Sequence, residues 1–564
     1  MYFHNIVKAV GFVSAILVAE TAWSNEASSA NVMAPLEIND WSGFNSQLTT
    51  AKNMGVDAVS VDIWWGKVEA AGDQQFDWSY YDSVVSAIEN AGLHWVPIMS
   101  FHQCGGNVGD ECDVPIPAWI WSHYPGIDAN ALKYRSEQGN YSAETVSLWS
   151  DDLVVDEYLE FMNAFESHFA TKAYMTDEIN ISMGPAGELR YPSYNSHDVN
   201  TGYPTRGAFQ SYNDNAIADF RDWTLSKYGS LAAINTAWGV SLSSITQVSP
   251  PTDATAFIAN GDQYTLQYGR DFVRWYHESL TSHGITMMNA AIQAFDSAFA
   301  DAELGFKIPG VHWQMGVAGN YRRSAEIAAG LIPTDVDLNS AATAYGYSSI
   351  IGVAASYNNS GRNIVLHFTA LEMDNQNWSP QYSLAKDLVF WVADGATAQG
   401  VTIKGENALA GGVASDNGWN NIENAFTWSG YSGLTILRIG DVTNGGTGQN
   451  RYTSFIQNFH AAGSGANVAF SCANGYTYWG QSVYVVGNLA ELGNWNPASA
   501  VVMSASAYPT WNATITVPAN TTIEWKCLKR EESNPSAGIE WESGANHVIT
   551  SGAAGSTVTT AGAF

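Results

Sequence analysis

From about residue 35, short apolar runs alternate with longer stretches of helical period. The runs are DAVSVDIWW (57–65), HWVPIMSF (94–101), EINISMG (178–184), GFKIPGVHW (305–313), NIVLHFTA (363–370), AQGVTIKG (398–405) and LTILRI (434–439). Between them lie YYDSVVSAIENAG (80–92), DLVVDEYLEFMNAFESHFA (152–170) and a long periodic stretch over 265–295. Strands rich in β-branched residues that alternate with helices predict parallel β/α units. Seven such runs favour a closed (β/α)8 barrel of the TIM type over an open doubly wound sheet. The region 35–462 is well above the ~250 residues usual for that barrel, so long loops must decorate it. Chemistry in such barrels sits where strands end and βα loops begin.

After the small, flexible segment 463–466, a candidate linker, the pattern changes to strand and turn only. VAFSC, QSVYVVGN, WNATITV, TIEWKCLK and HVIT within 467–564 predict a small all-β domain, a sandwich or open barrel. At the other end, Lys8 precedes an apolar run from Ala9 to Ala19, too short to span a bilayer comfortably. Residues 1–24 read as an export signal with a cleavage site at Ala22-Trp23-Ser24, Ala30 being a competitor. The protein is expected to be secreted, with no membrane partner, and to be a monomer. In that compartment disulfides persist. Cys104 and Cys112 bracket a glycine-rich loop of suitable length for one; whether Cys472 and Cys527 pair is left open.

Charge narrows the partners. With 23 Lys and Arg against 54 Asp and Glu, the net charge of −31 is unsuited to a polyanion, so no nucleic acid is expected. A neutral polysaccharide is compatible. The 22 tryptophans serve either core packing or stacking on pyranose rings, and composition does not separate the two. Nucleotide-binding glycine loops, zinc-type Cys/His spacings and nucleophile-elbow serines are missing from the sequence.

Two strand ends carry isolated glutamates. Glu188 stands in GPAGELRYPSY after the EINISM strand, and Glu406 stands in GENAL after AQGVTIK. Glu188 and Arg190 could equally form an ordinary surface ion pair. Taken together, two strand-end acids suit glycoside hydrolysis, in which one protonates the leaving oxygen and the other activates water.

DIWWGKVE, SFHQCGGNVGDECDVPIP, MGPAGELRYPSY, KIPGVHW, HFTALEM and GENAL, in this order, resemble the β-amylases, inverting enzymes that remove maltose from non-reducing chain ends. The resemblance covers about residues 35–460. It implies Glu188 as general acid and Glu406 as general base. It implies Asp62 and His102 as a hydroxyl-binding pair, and Asp110 on a mobile lid whose glycines permit hinging. Lys307, His312, Asn407, Ala408 and Arg438 correspond to further sugar contacts, and Thr369 to an inner loop that supports the base. Glu372, three residues on, is a rival for the base that the resemblance assigns to the inner loop. Gln314, Met315 and Ala370 depart from the family pattern, as does the length between His312 and Thr369.

Glu69, Asp73, Gln74, Glu157 and Glu160 correspond to the calcium site of bacterial β-amylases. Hard oxygen donors in that number suit Ca²⁺, although a solvated acidic face is the usual fate of such residues. The C-terminal segment resembles starch-binding domains. Trp495, Lys526, Trp541 and Asn546 correspond to one sugar site and Trp479 and Tyr508 to a second, while Trp525 suits the core. Starch, maltodextrins and related α-glucans are the implied partners. Two rival readings are a retaining endo-acting α-amylase, which needs an Asp nucleophile, and a non-catalytic glucan-binding protein, which would have lost a carboxylate or the lid.

Overall fold

Ala58–Trp64 and His94–Ser100 are almost wholly buried, as unbroken apolar sequence requires of strands covered on both faces. They belong to a closed parallel barrel in a computed structural model that describes residues 29–106, 111–315, 323–463, 465–518, 521–552 and 556–564. Its strands are β1 (Ser29–Met33), β2 (Ala58–Trp64), β3 (His94–Ser100), β4 (Glu178–Ile181), β5 (Glu303–Ile308), β6 (Ile364–Phe368), β7 (Thr402–Glu406) and β8 (Gly433–Ile436). Each pairs with its neighbour in sequence, and β8 closes the ring against β1 through Leu434 opposite Ala30.

The principal helices after these strands are α1 (Trp41–Met54), α2 (Ser79–Asn90), α3 (Asp151–Phe169), α4 (Gln267–Ala294), α5 (Ser348–Ala355), α6 (Ala385–Ala398), α7 (Asp416–Trp428) and α8 (Thr447–Gly463). Their ends follow local chemistry. Asp40 caps α1 by accepting from the Gly43 N–H, and Gly55, at φ 93°, stops it in the left-handed region. On α3, Val154, Tyr158, Phe161, Phe165 and Phe169 recur at helical spacing and are buried against the barrel. Each large side chain so placed contributes about 2–3 kcal/mol. The connections from β3 to α3 and from β4 to α4 are the long ones, and both overhang the strand ends.

Two expectations need correction. The barrel begins at Ser29, not residue 35: β1, which carries Ala30, was the strand missing from the seven apolar runs. It is only five residues long and follows directly on the leader-like segment, so no period distinguishes it. The proposed linker is also shorter than 463–466. Gly463 ends α8, and Ala466 is already buried and paired with Val517. The export signal at 1–24 lies outside the described residues.

The C-terminal domain has strands β9 (Ala466–Ala473), β10 (Gln481–Gly487), β11 (Val501–Val502), β12 (Ser504–Ala507), β13 (Thr510–Val517), β14 (Thr522–Glu531), β15 (Glu540–Trp541), β16 (His547–Thr550) and β17 (Thr557–Ala563). They form two sheets, β12-β13-β9-β17 and β11-β10-β14-β15, with β16 on β14. Val468, Phe470, Val483, Val485 and Trp525 make the core between them. Cys472 on β9 is bonded to Cys527 on β14, which resolves the pairing left open by the sequence. Cys104 and Cys112 are likewise bonded.

Candidate active site

The ends of the barrel strands surround one cavity of about 560 Å³. Asp62, His102, Glu188, Lys307, His312 and Glu406 all line it. So do Thr369, Asn407, Ala408 and Arg438. Residues spread over more than 370 positions of sequence therefore meet at one mouth, because every strand delivers its last side chain to the same end of the barrel.

Glu188 follows β4 on a tight turn. Gly187 there has φ 78°, a left-handed backbone that favours glycine, and a Cβ on it would crowd the His102 ring at 3.3 Å. The Arg190 Nε donates to Glu188 Oε2 at 2.8 Å. This is no surface ion pair: Arg190 is only 1% exposed and lies over the Tyr194 ring, 4.0 Å from its centroid. Burial works against the Arg190 charge, yet Tyr194 and Glu188 hold its pKa above the ordinary value. The Tyr194 hydroxyl also addresses Oε2, at 3.4 Å. Both contacts fall on Oε2, and Glu188 lines the cavity.

Glu406 ends β7. Lys307, reaching across from β5, sits 2.6 Å from Glu406 Oε2. Burial disfavours the Lys307 charge, but Glu406 more than restores it and raises the ammonium pKa. Glu372 has a different task. Its two oxygens accept from the Ala408 N–H at 2.9 Å and the Leu409 N–H at 2.8 Å, so it clamps the loop that follows Glu406. Burial raises its carboxyl pKa, against those two backbone bonds. Asn407 adds a second clamp, donating to Leu437 O at 3.0 Å and accepting from Leu437 N at 2.8 Å.

The remaining candidates are each fixed by a polar neighbour. Ser100 donates to Asp62 Oδ1 at 2.9 Å, and Arg438 lies 3.8 Å from Asp62 Oδ2. His102 contacts Ser182 Oγ at 2.8 Å through Nδ1 and packs its ring against Trp64. Burial and the nearby Lys307 and Arg190 charges push its pKa down to about 3, so the ring is neutral. His312, tied to Ser383 at 2.7 Å, is pushed by burial to about 4. Thr369 Oγ1 accepts from the Gly310 N–H at 2.8 Å. Asp110 lies outside the described residues.

Sequence reading passed over Tyr194, Tyr203 and Trp313, which complete an aromatic wall. It also passed over Arg190 as more than a surface partner. The signal for both was present: Tyr194 and Arg190 lie within the GELRYPSY motif.

The sequence profile described as glycosyl hydrolase family 14 matches residues 31–465. The chain belongs to this family. A profile described as starch binding domain matches residues 465–561. The chain is 40% identical to the thermophilic β-amylase of Thermoanaerobacterium thermosulfurigenes over 539 residues, 94% of this chain and 92% of that protein. It is 36% identical to the β-amylase of Bacillus cereus, over 88% of this chain and 86% of that protein. The solved catalytic domain of the Paenibacillus polymyxa β-amylase superposes with a TM-score of 0.67 at 40% identity, covering 76% of this chain and 97% of that domain. The family 14 domain here is therefore a glycoside hydrolase barrel, and the module behind it is a starch-binding domain.

A second cluster lies between the segment after β2 and α3. Of the five metal candidates, Asp73 and Glu157 converge, joined by His123, which the sequence reading missed. His123 Nε2 is 3.1 Å from Glu157, and Nδ1 is 4.0 Å from Asp73. Glu69 accepts from Trp65 Nε1 and from the Gln74 N–H, both at 2.6 Å. Burial, with Asp73 and Glu157 nearby, pushes its pKa up to about 7. Asp73 Oδ1 is buried without a hydrogen bond. An orphaned oxygen among mutually repelling carboxylates is what a cation would relieve. Glu160 acts on Glu157 only through its charge.

On the starch-binding domain Trp479 is fully exposed, Tyr508 and Trp541 are partly so, and Trp525 is buried. Tyr476, not anticipated, stands edge-on to Tyr508 with centroids 6.1 Å apart. Lys526 donates to Glu542 O and Gly544 O, which steadies the loop after Trp541. Asn546 donates to Glu524 at 3.0 Å. Trp495 packs partly against Tyr484 and Val486.

Proposed function

We propose that this enzyme is a β-amylase that releases β-maltose from the non-reducing ends of α-1,4-glucans by a single inverting displacement. The observation that carries the reading is the pair of strand-end carboxylates, Glu188 and Glu406, in one cavity, each held by its own cation. Glu406 is paired with the Lys307 ammonium, a partner that suits a carboxylate base. Glu188 protonates the departing glycosidic oxygen. Glu406 takes a proton from water as that water bonds to the anomeric carbon and the old C–O bond breaks. Asp62, His102, Arg438 and Lys307 fix the terminal sugars, and the Glu372 clamp holds the loop of the base.

On a linear malto-oligosaccharide, proton NMR in the first minutes should show β-maltose before mutarotation sets in. Predominant α-anomer, or early products of mixed length, would overturn the assignment. The same mechanism requires room for water between the two carboxyls, a separation of ~6.5–9.5 Å.

Calcium is proposed as a structural ion, held by Glu69, Asp73, Glu157 and the Gln74 segment with Glu160 close by. When bound it supplies charge neutralisation at the loop after β2, and hydrolysis does not pass through it. A Glu69 carboxyl raised from 4.5 to about 7 favours the calcium-free fold below pH 4.5, and that contribution is lost as pH climbs to about 7. Calcium binds the ionised form, so its stabilisation grows over the same window. Chelation should then lower the melting temperature more at pH 7.5 than at pH 5, with little effect on activity at room temperature. An unchanged melting temperature at pH 7.5 would remove the site.

The starch-binding domain is proposed to hold the enzyme on granules through Trp541 and Trp479. Replacing both with Ala should weaken granule adsorption by about a hundredfold, since avidity is lost, while soluble-substrate kinetics stay unchanged. Undiminished adsorption would make these aromatics structural. Export is proposed from the leader-like 1–24 segment together with the two disulfides.

A further inference from the structure

Beneath the cavity, strands that are otherwise apolar carry charge. Lys307, His367 and Lys404 stand side by side on β5, β6 and β7, since Lys307 is in register with His367 and His367 with Lys404. Glu178, the first residue of β4, faces them inside the barrel. Its Oε1 contacts His367 Nε2 at 2.5 Å and accepts from Asn180 at 3.0 Å. Its Oε2 accepts from Lys404 at 2.7 Å, and Lys404 also reaches Glu303 at 2.6 Å. Burial would raise the Glu178 carboxyl, but the Lys404 and His367 charges outweigh it and hold the pKa well below the ordinary range.

The other ring nitrogen of His367 is the informative one. Nδ1 is buried and has no hydrogen bond. Its polar neighbour is Glu406 Oε1, 3.8 Å away, whereas Lys307 holds the other oxygen of that carboxylate. Both ring nitrogens thus face carboxylates, Nε2 at hydrogen-bond distance and Nδ1 at ion-pair distance, and the doubly protonated ring presents an N–H to each. In that form three cations (Lys307, His367, Lys404) balance three carboxylates (Glu178, Glu303, Glu406) along one continuous line of contacts.

We propose that His367 is a positioning residue for Glu406, anchored from below by Glu178 and restraining Oε1 through Nδ1–H, so that the carboxylate keeps one edge toward the attacking water. The inference rests on Glu406 being the base. The groups bearing on His367 are Glu178 from β4, Lys307 and Glu303 from β5, and Lys404 and Glu406 from β7. A carboxylate held by Lys307 alone can swing about that one contact, and a misplacement of about 1 Å at a reacting group can cost about a hundredfold in rate.

Two substitutions separate the ring's two jobs. In His367→Gln the amide can occupy the Nε2 position and keep the Glu178 contact, but nothing replaces Nδ1. In His367→Asn the amide occupies the Nδ1 position and the Glu178 contact is lost. The expected result for His367→Gln is a kcat lowered about ten- to a hundredfold with KM within about twofold. The acid limb of its kcat/KM profile should move up by about one pH unit, because a cation beside the base is gone. His367→Asn should recover most of kcat, while its acid limb moves as in His367→Gln, because it too lacks the cation. Wild-type kcat and an unmoved acid limb in His367→Gln would overturn the proposal. Equal losses in both variants that follow stability alone would do the same. If the variants fail to fold, nitrogen NMR of histidine-labelled wild-type protein against Glu406→Gln reads the ring directly. One buried Nδ1 should pass from protonated to unprotonated, and unaltered signals from all 12 histidines would overturn the assignment. Near-normal turnover in Glu406→Gln is a separate outcome that sinks the base reading, and this inference with it.

Discussion

Glu406→Gln and Glu188→Gln should each lower kcat on a soluble malto-oligosaccharide by about four orders of magnitude, with the fold kept at a lower melting temperature. Both replacements keep the shape of the side chain but remove its charge along with its capacity to move a proton, so Lys307 or Arg190 also loses its anionic partner. The two acids act as one unit, so the double variant should be little worse than either single one. The pH profiles should tell them apart, because loss of the base removes the acid limb of kcat/KM and loss of the acid removes the alkaline limb. Glu372→Gln is the control. A glutamine there accepts from only one of the Ala408 and Leu409 N–H groups, so the loop loosens and KM rises, while both pH limbs remain. Near-normal turnover in Glu406→Gln, with loss of its limb in Glu372→Gln, would exchange the two roles.

The largest stability effect is expected inside the barrel. Lys404→Met should cost about 3–5 kcal/mol at neutral pH, because it leaves Glu178 buried without its main cation. Methionine fills most of the vacated volume, so a cavity adds little. The pH dependence identifies the cause. Glu178 has a depressed folded pKa, so its contribution is present above 4.5 and is lost as pH falls through the depressed value. The variant lacks that contribution, and its deficit against wild type should shrink on going from pH 7 to pH 4. Urea unfolding midpoints at the two pH values measure this. A constant deficit would point to packing instead of charge.

Much of the catalytic domain was legible because barrel strands and helices announce themselves over short windows. The runs DAVSVDIWW and HWVPIMSF lie where β2 and β3 stand, and the 152–170 stretch lies on α3 to within a residue. β1 was not legible, since five residues next to a leader-like segment carry no period of their own. The strand-end rule also directed attention to Glu188 and Glu406 before any geometry was known. It could not weigh Arg190, whose burial is a property of the β4–α4 loop folding over it. Nor could it find the Glu178–Lys404–His367 line, although charges inside apolar strands were its visible trace.

What the sequence determined by itself, then, is whatever depends on residues near one another: the strand and helix repeat, the change of pattern after residue 463, and the motifs that place an acid at the end of a strand. Local preference and period are short-range quantities, and they survive being read one window at a time. Tertiary structure alone decided that β8 closes on β1, that Cys472 meets Cys527, and that Glu372 holds a loop while Glu406 faces the cavity. It also decided that His367 stands between Glu178 and Glu406. Each of these joins groups far apart in the chain, and their pairing is set by barrel closure and by the cost of leaving a buried polar atom without a partner.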